Sequence, residues 1–336
     1  MNKRWVLATL ILCAYLLSSC TKDSSEVSTG NHTVYASGFI WNNGNFPCYW
    51  KGNNRVDLPG GIGAFTTSIF VYGGSVYTAG YYINGNGNQA PCYWKDTVRV
   101  DLPYGNINDA YTTSIFVSNG VVYTAGHYWD GTKGVPCYWV NTVRKEVPDA
   151  GAFVSSIYVV DTVVYLGGYR SVQMGYSIPC YWKSNVSTDL STGSSQNGQV
   201  KSLFVTNGIV YACGSYGDMG INIPCYWTNS DKTDLEASAT GFAASICVDG
   251  GTVYTAGFLT QSGPCYWKGT SRTNLNGSDV VSISVKQGVV FSAGRYYKPD
   301  GIDDFHVPCY WVGTSRVDLP VIENHDHNST TAIFVE

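Results

Sequence analysis

Charge is what this sequence of 336 residues has least of: 13 % of its side chains are Asp, Glu, Lys or Arg, with 20 basic against 24 acidic residues. A chain with so few cations and an acidic excess is a poor match for a phosphate backbone, which argues against nucleic-acid partners. Long apolar runs are missing as well. The longest, Trp5 to Leu17, covers 13 residues, short of the roughly 20 that a membrane-spanning helix needs. No part of residues 33–336 repeats its apolar positions every 3.6 residues, so helical repeats are excluded. A Gly-x-Ser-x-Gly elbow, a phosphate loop and a dinucleotide fingerprint are all absent, and strings such as Asn84-Gly85-Asn86-Gly87 read as loops between strands.

The short apolar run follows Lys3 and Arg4 and ends at Ser18, Ser19 and Cys20. That order is the one of a secretory signal peptide. Leu17-Ser18-Ser19-Cys20 resembles the lipobox of bacterial lipoproteins, and the resemblance implies that Cys20 becomes a lipidated first residue. Residues 20–32 are mostly Ser, Thr, Lys, Asp and Glu and cannot bury enough apolar surface to offset their ordering entropy, so they read as a tether. The expected organisation is a signal at 1–19, a tether at 20–32 and one large domain at 33–336. Such a protein would sit in the bacterial cell envelope, held to the outer membrane through its N-terminal lipid, on the periplasmic side or at the cell surface.

What the rest of the chain does have is a repeat. Pro-Cys-Tyr-Trp occurs seven times, with its cysteine at 48, 92, 137, 180, 225, 265 and 309, at intervals of 40 to 45 residues. A period of that length holds four short strands with turns, one blade of a β-propeller. In the second copy the four are visible as Ser68-Ile69-Phe70-Val71, Val76 to Gly80, Cys92 to Lys95 and Arg99 to Leu102, here named strands a, b, c and d. The b strand also recurs seven times, from Val34 to Val290. No a strand precedes Val34, whereas a lone a-type strand, Ala332-Ile333-Phe334-Val335, ends the sequence. The expected fold is therefore all-β: a seven-bladed propeller with four antiparallel strands per blade, closed by pairing of the C-terminal strand with the N-terminal three. The a–b and c–d turns are short. The longer, variable b–c and d–a connections emerge together on the other face, where function is expected.

Seven of the eleven cysteines hold one equivalent position per blade, too far apart for disulfides, and read as small buried hydrophobes. Cys13 leaves with the signal. Only Cys213 and Cys247 remain as a conceivable pair, with plain packing the stronger reading. Of the nine tryptophans beyond the signal, seven likewise belong to the repeat, which leaves Trp41 and Trp129 in b–c loops as candidates for ligand contact. Tyr82, Tyr128, Tyr216, Tyr296 and Tyr297 occupy the same loops, as do Phe39, Tyr81 and Tyr169, with Asp130 and several Asn nearby. Aromatic faces beside amides and carboxylates suit sugar rings or a protein epitope. Five histidines are few, and His306, His325 and His327 match no familiar zinc spacing, so they are weak metal candidates and no cofactor is expected. Asp109, Asp130, Asp149, Asp218 and Glu323 could supply an acid–base pair across the channel, though nothing in the sequence selects one.

Across residues 33–336 the repeat resembles that of bacterial envelope lipoproteins built from Tyr-Trp-Lys propeller units, carried here by Cys48-Tyr49-Trp50-Lys51, Cys92 to Lys95 and Cys265 to Lys268. That resemblance implies fold and location only. Val140, Thr228 and Val312 replace the Lys in three copies. The expected function is a binding or scaffold protein that presents its variable face to a glycan or protein. A carbohydrate-active enzyme and a purely structural envelope component are the alternatives.

Overall fold

The computed structural model describes residues 31–105, 109–149, 151–172, 175–195, 197–218, 220–299, 304–321 and 327–336. Cys20, Glu323 and His325 lie outside them. Each period folds as four antiparallel strands. In the second blade these are Phe65–Tyr72, Ser75–Ile83, Gln89–Lys95 and Val98–Asp101. The turns explain themselves. Gly73 and Gly74 link a to b at φ of 59° and 77°, and Asp96 links c to d at 54°, the left-handed geometry a tight hairpin requires. Asp96 Oδ1 accepts the Val76 N–H at 2.9 Å, and Asn141 and Asn229 do the same for Val122 and Val210.

Seven such sheets form the chain, with no α-helix among the described residues. Six are made of consecutive strands. The remaining one runs Ser329–Val335, Val34–Trp41, Asn45–Lys51, Asn54–Asp57, so the C-terminal strand is the innermost strand of the first blade. Its register runs from Val34 opposite Val335 to Phe39 opposite Ser329. The seven a strands touch one another in closed cyclic order and form the wall of a central channel.

Two devices join neighbouring blades. The repeated Trp of each c strand is fully buried and packs on the blade before it, as Trp94 does with Tyr35, Tyr49 and Leu58. In five of the seven blades its indole N–H also ties down the preceding blade's outgoing connection, as Trp50, Trp139 and Trp227 do by donating to the backbone oxygens of Pro320, Pro103 and Ser191. On the channel side, Ser68, Ser114, Ser156, Ser245 and Ser282 each accept the N–H of an Ile or Leu in the following blade, at 3.2 to 3.3 Å.

The a strands begin before the serine at which the sequence placed their start, for example at Phe65 rather than Ser68. A bulge between Thr66 and Ser68, repeated in the other blades, inserts one residue and interrupts the two-residue alternation. All nine cysteines of the described chain are buried free thiols, Cys213 and Cys247 included. Burial pushes each thiol well up, Cys247 to about 12, so they are inert.

Candidate functional site

Every b strand carries a glycine where the bulged a strand crosses closest. At Gly126 an added Cβ would stand 2.1 Å from the Tyr111 oxygen, so no larger residue fits. The residue after that glycine lies towards the loop-face end of the b strand, and in the first six blades it is Phe39, Tyr81, His127, Tyr169, Ser215 and Phe258. Each lies opposite an a-strand residue, which for the second, third and fourth blades is Phe65, Tyr111 and Phe153. These rings stack within and between neighbouring blades in a partial ring near the loop face. Phe65 contacts Phe39 at 4.6 Å and Tyr81 at 5.8 Å; Phe153 contacts His127 at 4.3 Å and Tyr169 at 5.4 Å. In the seventh blade an Arg295–Asp279 ion pair of 2.7 Å replaces the aromatic pair.

Between the third and fourth blades this ring opens into a cleft of about 520 Å³. Tyr111, His127, Phe153 and Tyr169 line it together with Asp109, Trp129 and Lys133. Trp129 is 44 % exposed, far more than any repeat tryptophan. His127 is buried, and its Nε2 accepts the Val154 N–H at 2.8 Å. The proton of the neutral ring therefore sits on Nδ1, which has no hydrogen-bond partner among the described residues. Desolvation lowers its pKa from 6.5 to about 4. Burial, with the Tyr169 and Tyr81 phenols nearby, raises the Tyr111 hydroxyl. A second depression of about 300 Å³ adjoins the first through Tyr169 and is lined by amides and hydroxyls, among them Asn197, Gln199, Ser215 and Asn222.

The residues picked from sequence fall differently. Trp41, Tyr82, Tyr128, Trp129, Tyr216, Tyr296 and Tyr297 sit on b strands, not in loops, and of these Tyr82, Tyr128, Tyr216 and Tyr296 each cross their own blade to a d-strand carboxylate. Their hydroxyls donate to Asp101, Glu146, Asp234 and Asp318 at 2.8 to 3.3 Å, while Arg99, Arg144, Lys232 and Arg316 cover the rings at 3.4 to 4.2 Å. This is a repeated sandwich within four separate blades, and only Tyr128 of the four also borders the cleft. Trp41 packs edge-on against His327 at 5.1 Å, and its backbone N–H donates to Asn328 Oδ1. Tyr297, 49 % exposed, meets His306 edge-on at 5.4 Å in the seventh blade. Among the described residues, His, Cys, Asp and Glu form no group of three that could hold a metal.

The carboxylates have evident local roles. Asp130 accepts N–H groups from Thr132 and Lys133 and the Thr132 hydroxyl, which closes its own turn and lowers its pKa. Asp109 accepts the Gln89 N–H at 2.7 Å, and Asp149 accepts the Trp182 indole N–H. Tyr111, His127 and Phe153 were not picked from sequence. Aligning the seven copies on the b-strand glycine would have found His127, which stands where Tyr81 and Tyr169 stand in the flanking blades.

No known family profile matches the sequence, and comparison with curated proteins gives no relative. Solved structures do match. A puromycin-hydrolyzing peptidase of Mycobacterium tuberculosis superposes over 86 % of this chain and 54 % of its own with a TM-score of 0.56 at 9 % identity. The Pyrococcus horikoshii acylaminoacyl peptidase matches over 87 % and 51 %, with a TM-score of 0.50 at 10 % identity. The chain thus spans about half the length of these two peptidases. The β-propeller domain of the Trilobed protease from Pyrococcus furiosus, described as having an open velcro topology, matches over 88 % of this chain and 96 % of its own, with a TM-score of 0.51 at 11 % identity. What these similarities share with the strand order above is a fold: the chain is a seven-bladed β-propeller, here closed by its C-terminal strand.

Proposed function

We propose that this chain is a binding protein of the bacterial cell envelope, lipid-anchored through Cys20, whose loop face takes up a glycan. One observation carries the reading: an aromatic cleft and an amide-lined depression meet at Tyr169. Sugars have an apolar C–H face and a rim of hydroxyls, so a saccharide laid across this junction would stack on Trp129 and Tyr169. Its hydroxyls would reach Lys133, Asn197, Gln199 and Asn222. The local roles of Asp109, Asp130 and Asp149 favour binding over glycosidic cleavage, which needs two carboxyl groups free to exchange protons.

The test is a glycan array and polysaccharide pull-down with the purified protein and its Trp129→Ala variant, with product analysis of every hit. Binding without cleavage, weakened at least about tenfold in the variant, is the expected result. Cleaved product would replace the reading with the enzymatic one. Silence across the array would move the search to protein partners.

A further inference from the structure

The bulge of each a strand inserts one residue into the wall of the central channel, and in four successive blades that residue carries a hydroxyl that reaches the blade beyond. Thr331 Oγ1 lies 3.1 Å from Thr66 Oγ1, Thr67 Oγ1 lies 3.5 Å from Thr112 Oγ1, Thr113 donates to the Val154 oxygen at 3.0 Å, and Ser155 donates to the Val200 oxygen at 2.8 Å. The fifth blade departs from this pattern. Its bulge residue is Lys201, between Val200 and Ser202. The carbonyl it would be expected to serve, that of Ala243, is met instead by the Cys213 thiol at 3.7 Å, from a position that is Ala in four other blades. The thiol takes over the link to the next blade and leaves the lysine without that task.

Lys201 is solvent-exposed although its strand lines the channel wall, and no hydrogen bond or ion pair holds its ammonium among the described residues. An accessible cation surrounded by protein and without a carboxylate is an uncompensated charge that attracts anions. The bulge positions of the next two blades are Ala244 and Val281, which carry no charge. The amide-lined depression reaches Gln199, two residues along the same strand, and gives a polar approach from the loop face. Partial desolvation also lowers the pKa of the Lys201 ammonium, the mark of a cation that gains from a bound counter-charge.

We infer that the central channel holds an anion site at Lys201, which takes the carboxylate or phosphate group of a small ligand entering from the loop face. The site is separate from the aromatic cleft and needs no glycan to be tested. The probes are glucuronate and inorganic phosphate, titrated into the full-length protein at constant ionic strength. Binding is followed by calorimetry and by the ¹³Cε resonances of labelled lysines, with Lys201 assigned by its loss in Lys201→Ala. Because Ala244 occupies the equivalent bulge, that variant fits the backbone, and Lys201→Arg keeps the charge. The expected result is saturable binding of one probe with a shift of the Lys201 resonance, lost at least tenfold in Lys201→Ala and retained in Lys201→Arg. Saturation by glucuronate alone assigns a carboxylate ligand, and saturation by phosphate alone assigns a phosphate. Absence of saturation by both probes, or equal binding by Lys201→Ala, overturns the site.

Discussion

The indole nitrogen of Trp94 lies 2.7 Å from the backbone oxygen of Pro59, so the second blade holds the connection that leaves the first. The same tie is missing at Trp267 and Trp311, whose buried indole N–H groups have no partner among the described residues. A net hydrogen bond of this kind contributes about 1 kcal/mol. Trp94→Phe should therefore cost about 1 kcal/mol more than Trp267→Phe in urea unfolding, since both lose similar packing and only one loses a bond. Equal costs would show that the tie adds nothing.

Ser156 is buried, and its hydroxyl oxygen accepts the Leu203 N–H at 3.2 Å across the blade boundary. In Ser156→Ala that N–H keeps its place but loses its acceptor. The expected loss is about 1 to 3 kcal/mol, read from the denaturation midpoint, with Ser156→Thr retaining part of it.

The pH dependence of stability should carry the signature of His127. Its folded pKa, about 4, lies below the usual 6.5 because burial disfavours the imidazolium. Between those values the unfolded chain binds the proton and the folded one does not, so stability is full above pH 6.5 and falls as pH drops towards 4. The total is on the order of 3 kcal/mol. His127→Phe should flatten that slope in urea midpoints measured from pH 7 to 4, while leaving other acid-sensitive contributions unchanged.

Trp41 and Trp129 should separate cleanly. Trp41 is packed against His327 and anchored by its backbone to Asn328, so Trp41→Ala should cost about 1 to 2 kcal/mol and leave glycan binding alone. Trp129→Ala, at an exposed position, should change stability by less than about 0.5 kcal/mol. Thermal unfolding of both variants beside the binding assay checks the contrast.

The propeller was legible because its evidence is arithmetic: seven copies of Pro-Cys-Tyr-Trp, seven b strands and one displaced a strand leave little freedom in topology. The bulges were not legible, because an inserted residue at Thr67 looks from sequence like the end of the alternating pattern. Nor was the cleft. It arises where residues of adjacent blades, Tyr111 and His127 on one side and Phe153 and Tyr169 on the other, meet across a boundary that no local pattern marks. Tyr82 and Tyr296 misled for the opposite reason. They follow the b-strand glycine and so look like loop residues, yet the strand continues through them and binds them to Asp101 and Asp318.

The pairing of Ser37 with Thr331, side chains 2.9 Å apart across 294 positions of sequence, also sets an order of events in the life of the chain. During synthesis the strand Val34–Trp41 emerges well before Ser329–Val335 and stays without its inner neighbour until that strand has been made. Six blades can assemble behind it while the circle stays open. Ser329–Val335 acts as a clasp, and until it closes, the inner edge of Val34–Trp41 is open to chaperones, proteases and other copies of the chain.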